Sequence, residues 1–357
     1  MSSPQPQSNE QKDGMPMSGT GHIVAADGAP TPTIVLDRRD FPRDTEGLLA
    51  ALTAVRVELA AGGRADVLKN ALIEPSSNPM FDLDYTFVQS LPAAPDAYDL
   101  RGSCGHSILA SVEAAARDGL IGPLRPGLRV RVNVVNNADT VVCEVEHSDE
   151  SGSSFTAHFL CTPPIPRQAL VMTGEATTSM VISGRPVEVS LVSMSNPYAF
   201  VSGPDLGVTT AAELFGAGEG LYEAMTEIHH AACRVLGWEP SGAFPKVAVL
   251  VSDEGRLAVR AVSVPTWHPT LALTGAVCLG AAVGVEGAVP WRAAQQAGHR
   301  DGQLTILTPA STVRVAATSI HHGPQAQLAW VSVGNKSVAY QGGAAVSPPF
   351  AAGRQVA

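Results

Sequence analysis

The sequence predicts an α+β protein made of two similar halves. Two observations carry this. Short strand-like runs dominate and only a few segments have helical periodicity. In addition, each half places a small-residue turn ahead of an apolar helix. In the first half Gly102-Ser-Cys-Gly-His106 runs into Ile108, Leu109, Val112 and Ala115–Ala116; in the second, Thr274-Gly275 opens a Gly/Ala-rich helix within Leu271 to Val285. Two such halves can aim two helix N-termini at one cleft, where unpaired N–H groups and helix dipoles hold an anion with several carboxylates.

The elements follow in order. Residues 1 to 14 are polar, lack an apolar core, and read as a disordered tail rather than a signal peptide. Met15 to Val24 is a small-residue loop entering a strand, and Thr33 to Leu36 is a second strand. Asp44 to Leu59 is a helix with Leu48, Leu49, Leu52, Val55 and Leu59 on one side. The apolar run within Ala65 to Glu74 stops at the turn cluster Pro75-Ser-Ser-Asn-Pro79, and Asp84 to Gln89 is a strand. Ser103 or Ser107 is the expected cap of the next helix, which ends near Gly119. Val130 to Val135 and Val141 to Val145 form a hairpin around Asn136–Asp139, and Phe155 to Leu160 and Ala169 to Met172 extend the sheet. Residues 173 to 185 read as a polar linker. Beyond it come a strand at Val187 to Val192, the Ser195-Asn196-Pro197 turn, Ala199 to Val201, a helix from Glu219 to Leu236, and strands at Val247 to Val251 and Ala258 to Val264. After the second buried helix, strands are expected at Leu304 to Leu307, Thr312 to Ala317, Leu328 to Val333 and Ser337 to Tyr340.

Composition narrows the function. The chain has 357 residues, 45% hydrophobic and 16% charged, with a formal net charge of −10 and no basic run, so nucleic acid is not an expected partner. No apolar run reaches membrane-spanning length. Five scattered cysteines without a CxxC pair suggest reduced thiols and a cytoplasmic location. Lysine is scarce: Lys12, Lys69, Lys246 and Lys336 are all there are. There is no phosphate loop, dinucleotide fingerprint or metal-ligand spacing; His229–His230 and His321–His322 lack suitable partners, and Asp82 and Asp84 read as anchors of neighbouring turns.

Several ordered segments resemble the 2-methylaconitate isomerase (PrpF-type) family, which includes oxalomesaconate tautomerases and aconitate or methylitaconate isomerases. They are Ala65-Asp-Val-Leu-Lys69 with Ile73-Glu-Pro-Ser-Ser-Asn-Pro79, Asp82-Leu-Asp-Tyr-Thr-Phe-Val-Gln89, Gly102-Ser-Cys-Gly-His106, Ser195-Asn-Pro197 with Phe200-Val201, Pro245-Lys-Val-Ala248, and Leu273-Thr-Gly-Ala-Val277. The resemblance covers residues 15 to about 320. It implies the two-domain fold of diaminopimelate epimerase, each domain a β-sheet wrapped around a central helix, with the active site between them. The expected domains are 15–178 and 179–320, with 321–357 returning to the first. The chain departs from the family at Met17-Ser-Gly-Thr-Gly-His22, where an arginine is missing, at His106 in place of Asn, and at Ile320-His-His-Gly-Pro in place of an Arg-rich stretch.

The resemblance implies proton transfer by Lys69 and Cys104, and residue chemistry agrees. Lys69 sits in an apolar run, where burial lowers an ammonium pKa. Cys104 stands at a helix N-terminus, which lowers a thiol pKa. The alternatives are a snorkelling surface lysine and a buried structural cysteine. The expected substrate-binding residues are Ser18, Gly19 and Thr20; Asn78; Gly105, His106 and Ser107; Asn196; His268, as cation partner or acid; and Thr274, Gly275 and Ala276. The expected activity is a cofactor-independent, metal-free isomerase or tautomerase. It shifts a double bond by 1,3-proton transfer in a small unsaturated di- or tricarboxylic acid, with a homodimer as the assembly considered. The alternatives are a same-fold enzyme recruited to another substrate in secondary metabolism and a catalytically silent binding protein.

Overall fold

The computed structural model describes residues 19–262, 266–299, 302–321 and 325–346. Ser18, the 1–14 tail and His322 lie outside them. The first half contains strands β1 (Gly19–Ala26), β2 (Thr33–Asp37), β3 (Lys69–Pro75), β4 (Leu83–Ser90), β5 (Tyr98–Asp99), β6 (Arg129–Val134), β7 (Asp139–Asp149) and β8 (Gly152–Pro166), with helices α1 (Thr45–Ala61) and α2 (Gly105–Arg117). The second contains β9 (Thr178–Ile182), β10 (Arg185–Met194), β11 (Asn196–Ser202), β12 (Lys246–Asp253), β13 (Arg256–Ala261), β14 (Gln303–Leu307), β15 (Thr312–Ile320) and β16 (Gln327–Val346), with helices α3 (Ala211–Gly216), α4 (Glu219–Leu236), α5 (Leu273–Ala282) and α6 (Val289–Gln296).

The strand order is β1-β2-β3-β4-β6-β7-β8-β16-β15-β14-β13-β12-β11-β10-β9, and β1 also pairs with β16. That last pairing closes eight strands into a barrel around α2. The sheet from β16 to β9 curves around α5 in the same way, leaving the fold α+β with a helix at the centre of each half. The connections repeat: β2 and β3 are parallel and flank α1, as β11 and β12 flank α3 and α4; β4 and β6 are parallel and flank α2, as β13 and β14 flank α5 and α6.

Burial explains why the central helices look as they do. Every residue of α2 from Gly105 to Ala115 is buried, and so is all of α5, so small and apolar residues surround each helix on every side. Both lie in one continuous core. Strands between two helical layers are buried on both faces and read as unbroken apolar runs. In β3, Ala71 and Ile73 join the core around α2, while Leu72 packs with Leu48, Leu52 and Val55 of α1. In the second half Leu221, Met225 and Ile228 of α4 cover Val201, Val247 and Val249.

Several details differ from the sequence reading. Cys104 itself is the N-cap of α2, without a side-chain cap hydrogen bond, in place of Ser103 or Ser107. Residues 167–170 form a short 3-10 helix where a strand was expected, leaving Val171 an isolated bridge to Val192. The expected linker 173–185 contains β9, because Met180 and Ile182 are buried in one apolar cluster with Leu221, Met225 and Ile228 of α4. The two C-terminal strands are one, β16, with a register shift between Val333 and Lys336 where Asn335 has φ 55°. Its pairing with β1 and β8 brings the end of the described chain back to the first half.

The two central helices touch at their N-termini. A Cβ on Gly105 would stand 2.6 Å from Leu273 Cδ2 and 2.8 Å from its Cβ. Gly105→Ala is therefore expected to destabilise the protein by about 1–3 kcal/mol. In a cycle with Leu273→Ala the two losses should be less than additive in denaturant titrations; strict additivity would show that the helices do not meet there.

Candidate active site

The N-termini of α2 and α5 meet at the seam between the halves, and one side chain holds them. Asn196, fully buried at the start of β11, accepts a hydrogen bond from Ser103 N at 2.9 Å and donates Nδ2–H to Ser103 O at 2.7 Å and to Thr274 Oγ1 at 3.0 Å. Ser195, at φ 64°, makes the turn that aims it, and Asn137 Nδ2 donates to the Ser195 carbonyl at 2.8 Å. Asp99 receives the amide of Ala243 at 2.8 Å, and the Phe244 ring fills the place where a Cβ on Gly102 would stand.

These contacts enclose a narrow cleft. Its polar wall comprises Lys69, Gln89, Ser103, Cys104, His106, Lys246 and His268, and its apolar wall includes Pro30, Phe87, Phe244 and Ala272. Lys69 is the first residue of β3 and only 5% exposed; its Nζ donates to Thr31 O at 3.2 Å. Burial lowers its pKa, opposed in part by Cys104. Burial alone would raise the Cys104 thiol, but Lys69, hydrogen bonding from Ser107 and then Lys246 outweigh it and hold the thiol below its ordinary value. Tyr85, buried and held protonated by that burial, donates to Cys104 O at 3.2 Å.

The two cleft histidines are stacked, ring centroids 6.1 Å apart and planes 20° from parallel. Burial, followed by the surrounding lysines, pushes both well below the ordinary imidazole value, so both are neutral at pH 7. His268 is thus not the cation considered from the sequence. Its Nδ1 accepts the Thr270 amide at 3.2 Å, which leaves the proton on Nε2 and makes it a neutral donor. His106 Nε2 is buried with no hydrogen-bond partner among the described residues.

Other expected residues are placed differently. Gly105, Ser107, Thr274, Gly275 and Ala276 are buried at the two helix starts, behind the side chains that line the cleft, with Ser107 hydrogen bonding to the Cys104 thiol. Ser107 Oγ bonds Thr33 Oγ1 at 2.8 Å, Asn196 occupies Thr274 Oγ1, and the Tyr198 hydroxyl covers Gly275. Asn78 is exposed beyond the end of β3 opposite Lys69, its Oδ1 accepting the Met80 amide at 3.0 Å. Gly19 and Thr20 open β1 at its end remote from the cleft. His22, two residues on, bonds Asp118 at 2.6 Å, just past the C-terminus of α2 and about 20 Å along that helix from Cys104. The loop that reaches the cleft is instead the β1–β2 connection: Pro30 lines the wall and Gly28 O accepts from Thr270 Oγ1 at 3.0 Å. Asp27-Gly-Ala-Pro-Thr-Pro contains no arginine either. Sequence reasoning missed Lys246, Gln89 and Phe244. The repeat could have found Lys246, because it opens β12 as Lys69 opens β3.

His229, outside the cleft, is structural. His229 lies 2.9 Å from Pro245 O and 3.1 Å from Pro240 O, bracing the segment that delivers Lys246. Among the described residues no three His, Cys, Asp or Glu side chains are grouped to hold a metal, and no helix is long and apolar enough to cross a membrane.

Two measurements test this geometry. Asn196→Ala leaves buried backbone groups of Ser103 unpaired and should cost about 2–4 kcal/mol of stability; a loss below about 0.5 kcal/mol would show that the tie is not formed. Alkylation by iodoacetamide, read by peptide mass spectrometry, should modify Cys104 first near pH 7.5. Cys104 is partly exposed with a lowered pKa, whereas Cys143 and Cys278 are buried and pushed up to about 12, and Cys161 to about 11. Its rate should rise with pH through a midpoint below that of an ordinary thiol; a midpoint above it would contradict the lysine–thiolate coupling.

Comparison with known proteins agrees with this architecture. A model of the PrpF protein family matches residues 53–339. YraM of Bacillus subtilis (strain 168) is 26% identical over 306 residues, covering 74% of this chain and 83% of its own. The 3-methylitaconate isomerase of Eubacterium barkeri is 23% identical over 331 residues, covering 80% and 87%. The crystal structure of a methylitaconate-delta-isomerase superposes with a TM-score of 0.64 at 21% identity, covering 92% of this chain and 95% of that one. The chain belongs to the PrpF family of isomerases and has the two-domain, diaminopimelate-epimerase-like fold.

Proposed function

We propose that the protein moves a carbon–carbon double bond in a small unsaturated di- or tricarboxylic acid by 1,3-proton transfer, with Lys69 and Cys104 as the proton-handling pair. The observation that carries this reading is the presence of both groups in one enclosed cleft, each shifting the other's proton affinity. The similarity to a 3-methylitaconate isomerase supports the substrate class.

The chemistry follows from the residues. An allylic proton next to a carboxylate is weakly acidic, so its removal needs a base and donors for the dienolate charge. Lys69, held by the Thr31 carbonyl through one N–H, keeps a lone pair for the substrate when neutral. Cys104, as thiol, returns a proton at the other end of the allylic system; the pair acts equally in the opposite sense. Dienolate charge is met by the start of α2 and by the Nε2–H of His268. No step requires a metal or an organic cofactor, so chelator treatment should leave turnover intact.

The test is deuterium incorporation from heavy water, followed by NMR over a panel of unsaturated di- and tricarboxylic acids. The wild type should exchange an allylic proton of at least one. Lys69→Met and Cys104→Ser should each lower exchange by about 10²–10⁴-fold with the fold intact. Unchanged exchange in both variants would assign this lysine and cysteine to the scaffold.

A further inference from the structure

We infer that Lys246 is the carboxylate anchor of the cleft, the cation that holds an anionic ligand against Cys104. The inference rests on the proposed function only in calling that ligand a substrate.

Lys246 opens β12 at the position where Lys69 opens β3, and parallel pairing sets Tyr198 of β11 beside it as Thr33 of β2 is set beside Lys69. The repeat therefore delivers one lysine to the cleft from each half. Their surroundings differ. Lys69 has the Thr31 carbonyl and acts on the Cys104 thiol more strongly than Lys246 does; Lys246 has no ion pair and no hydrogen bond among the described residues. Its Nζ stands 5.5 Å from the centroid of the Phe244 ring, which in turn packs on Gly102, two residues before Cys104. The carboxylate that acts on it, Asp99, is already held by the amides of Arg101 and Ala243.

Charge counting gives the same answer. The cleft wall carries no carboxylate. Both histidines are neutral. A proton moving between Lys69 and Cys104 leaves the sum of those two unchanged, so Lys246, whose proton affinity burial lowers, adds when protonated one positive charge that no carboxylate of the wall offsets, and a bound carboxylate would hold that proton in place. The same wall holds two neutral polar atoms, His106 Nε2 and Ser103 Oγ, that are buried without a hydrogen-bond partner among the described residues. An ammonium with neutral donors, free of competing acids, is a site for a carboxylate.

The test uses two alkylating reagents of nearly equal size on the full-length protein. Iodoacetate carries a carboxylate and iodoacetamide does not; each alkylates Cys104 by displacing iodide, the first leaving an S-carboxymethyl and the second an S-carbamidomethyl thioether. The ratio of their rates cancels the thiolate fraction and reads only the anion preference. The wild type should favour iodoacetate by about tenfold or more relative to free cysteine, saturably and in competition with mesaconate. Lys246→Met and Lys246→Gln should abolish that preference while iodoacetamide still reacts, and Lys246→Arg should retain it. Lys69→Met should slow both reagents and keep the preference. No preference in the wild type, or one that survives both neutral Lys246 variants, overturns the assignment. A preference that disappears with Lys246, in a protein that exchanges deuterium into no unsaturated acid, upholds the anion site and refutes the isomerase chemistry instead.

Discussion

Everything in the cleft depends on the buried amide of Asn196. The N-termini of two central helices carry like partial charges, and nothing in their backbones binds one to the other. A single side chain with one acceptor and two donor hydrogens joins them by bonding the turn before α2 on one side and Thr274 of α5 on the other. Leu273 against Gly105 then fixes how closely they approach. Lys69, Cys104, Lys246 and His268 arrive on four different segments, and the cleft exists only while that junction is held.

The electrostatic character of the cleft comes from burial more than from ion pairing. Lys69, Lys246 and Lys336, every lysine of the described residues, are lowered by burial, and the two histidines are pushed to neutrality. In such surroundings the amine falls by burial and the thiol falls through the lysine charges, without a carboxylate between them. The remaining donors are neutral and pre-oriented, which suits a reaction whose charge moves along the ligand.

Much of this was legible in the sequence. The glycine turns, the small-residue helices behind them, Lys69 in its apolar run and Cys104 at a helix start all carry local signals, and the structure places them as read. Lys246 was quoted only as part of a matching segment, because nothing near it in the chain marks a site; its role emerges when β12 is laid beside β3. The N-terminal loop was set one strand too early. Met17–His22 and Asp27–Pro32 are both rich in small residues and turn formers, and only pairing with β16 and the His22–Asp118 bond reveals which end of β1 faces the cleft. Asn78 sits in a turn that looks functional by composition yet serves the far end of the barrel.

The strand β16 has a consequence for how the chain must be made. It is the shared wall of both halves, pairing β15 on one edge and β8 on the other, and it also completes the ring with β1. Residues 327–346 leave the ribosome after every other element of both halves. Until they do, the first half is an open sheet with β1 and β8 as bare edges and α2 uncovered along that gap. Bare edges beside an apolar helix are the features that recruit wrong partners during synthesis. The first half cannot mature ahead of the second, so folding here is a closing step that waits for β16 to emerge, and loss of that strand would be felt first at the N-terminal barrel.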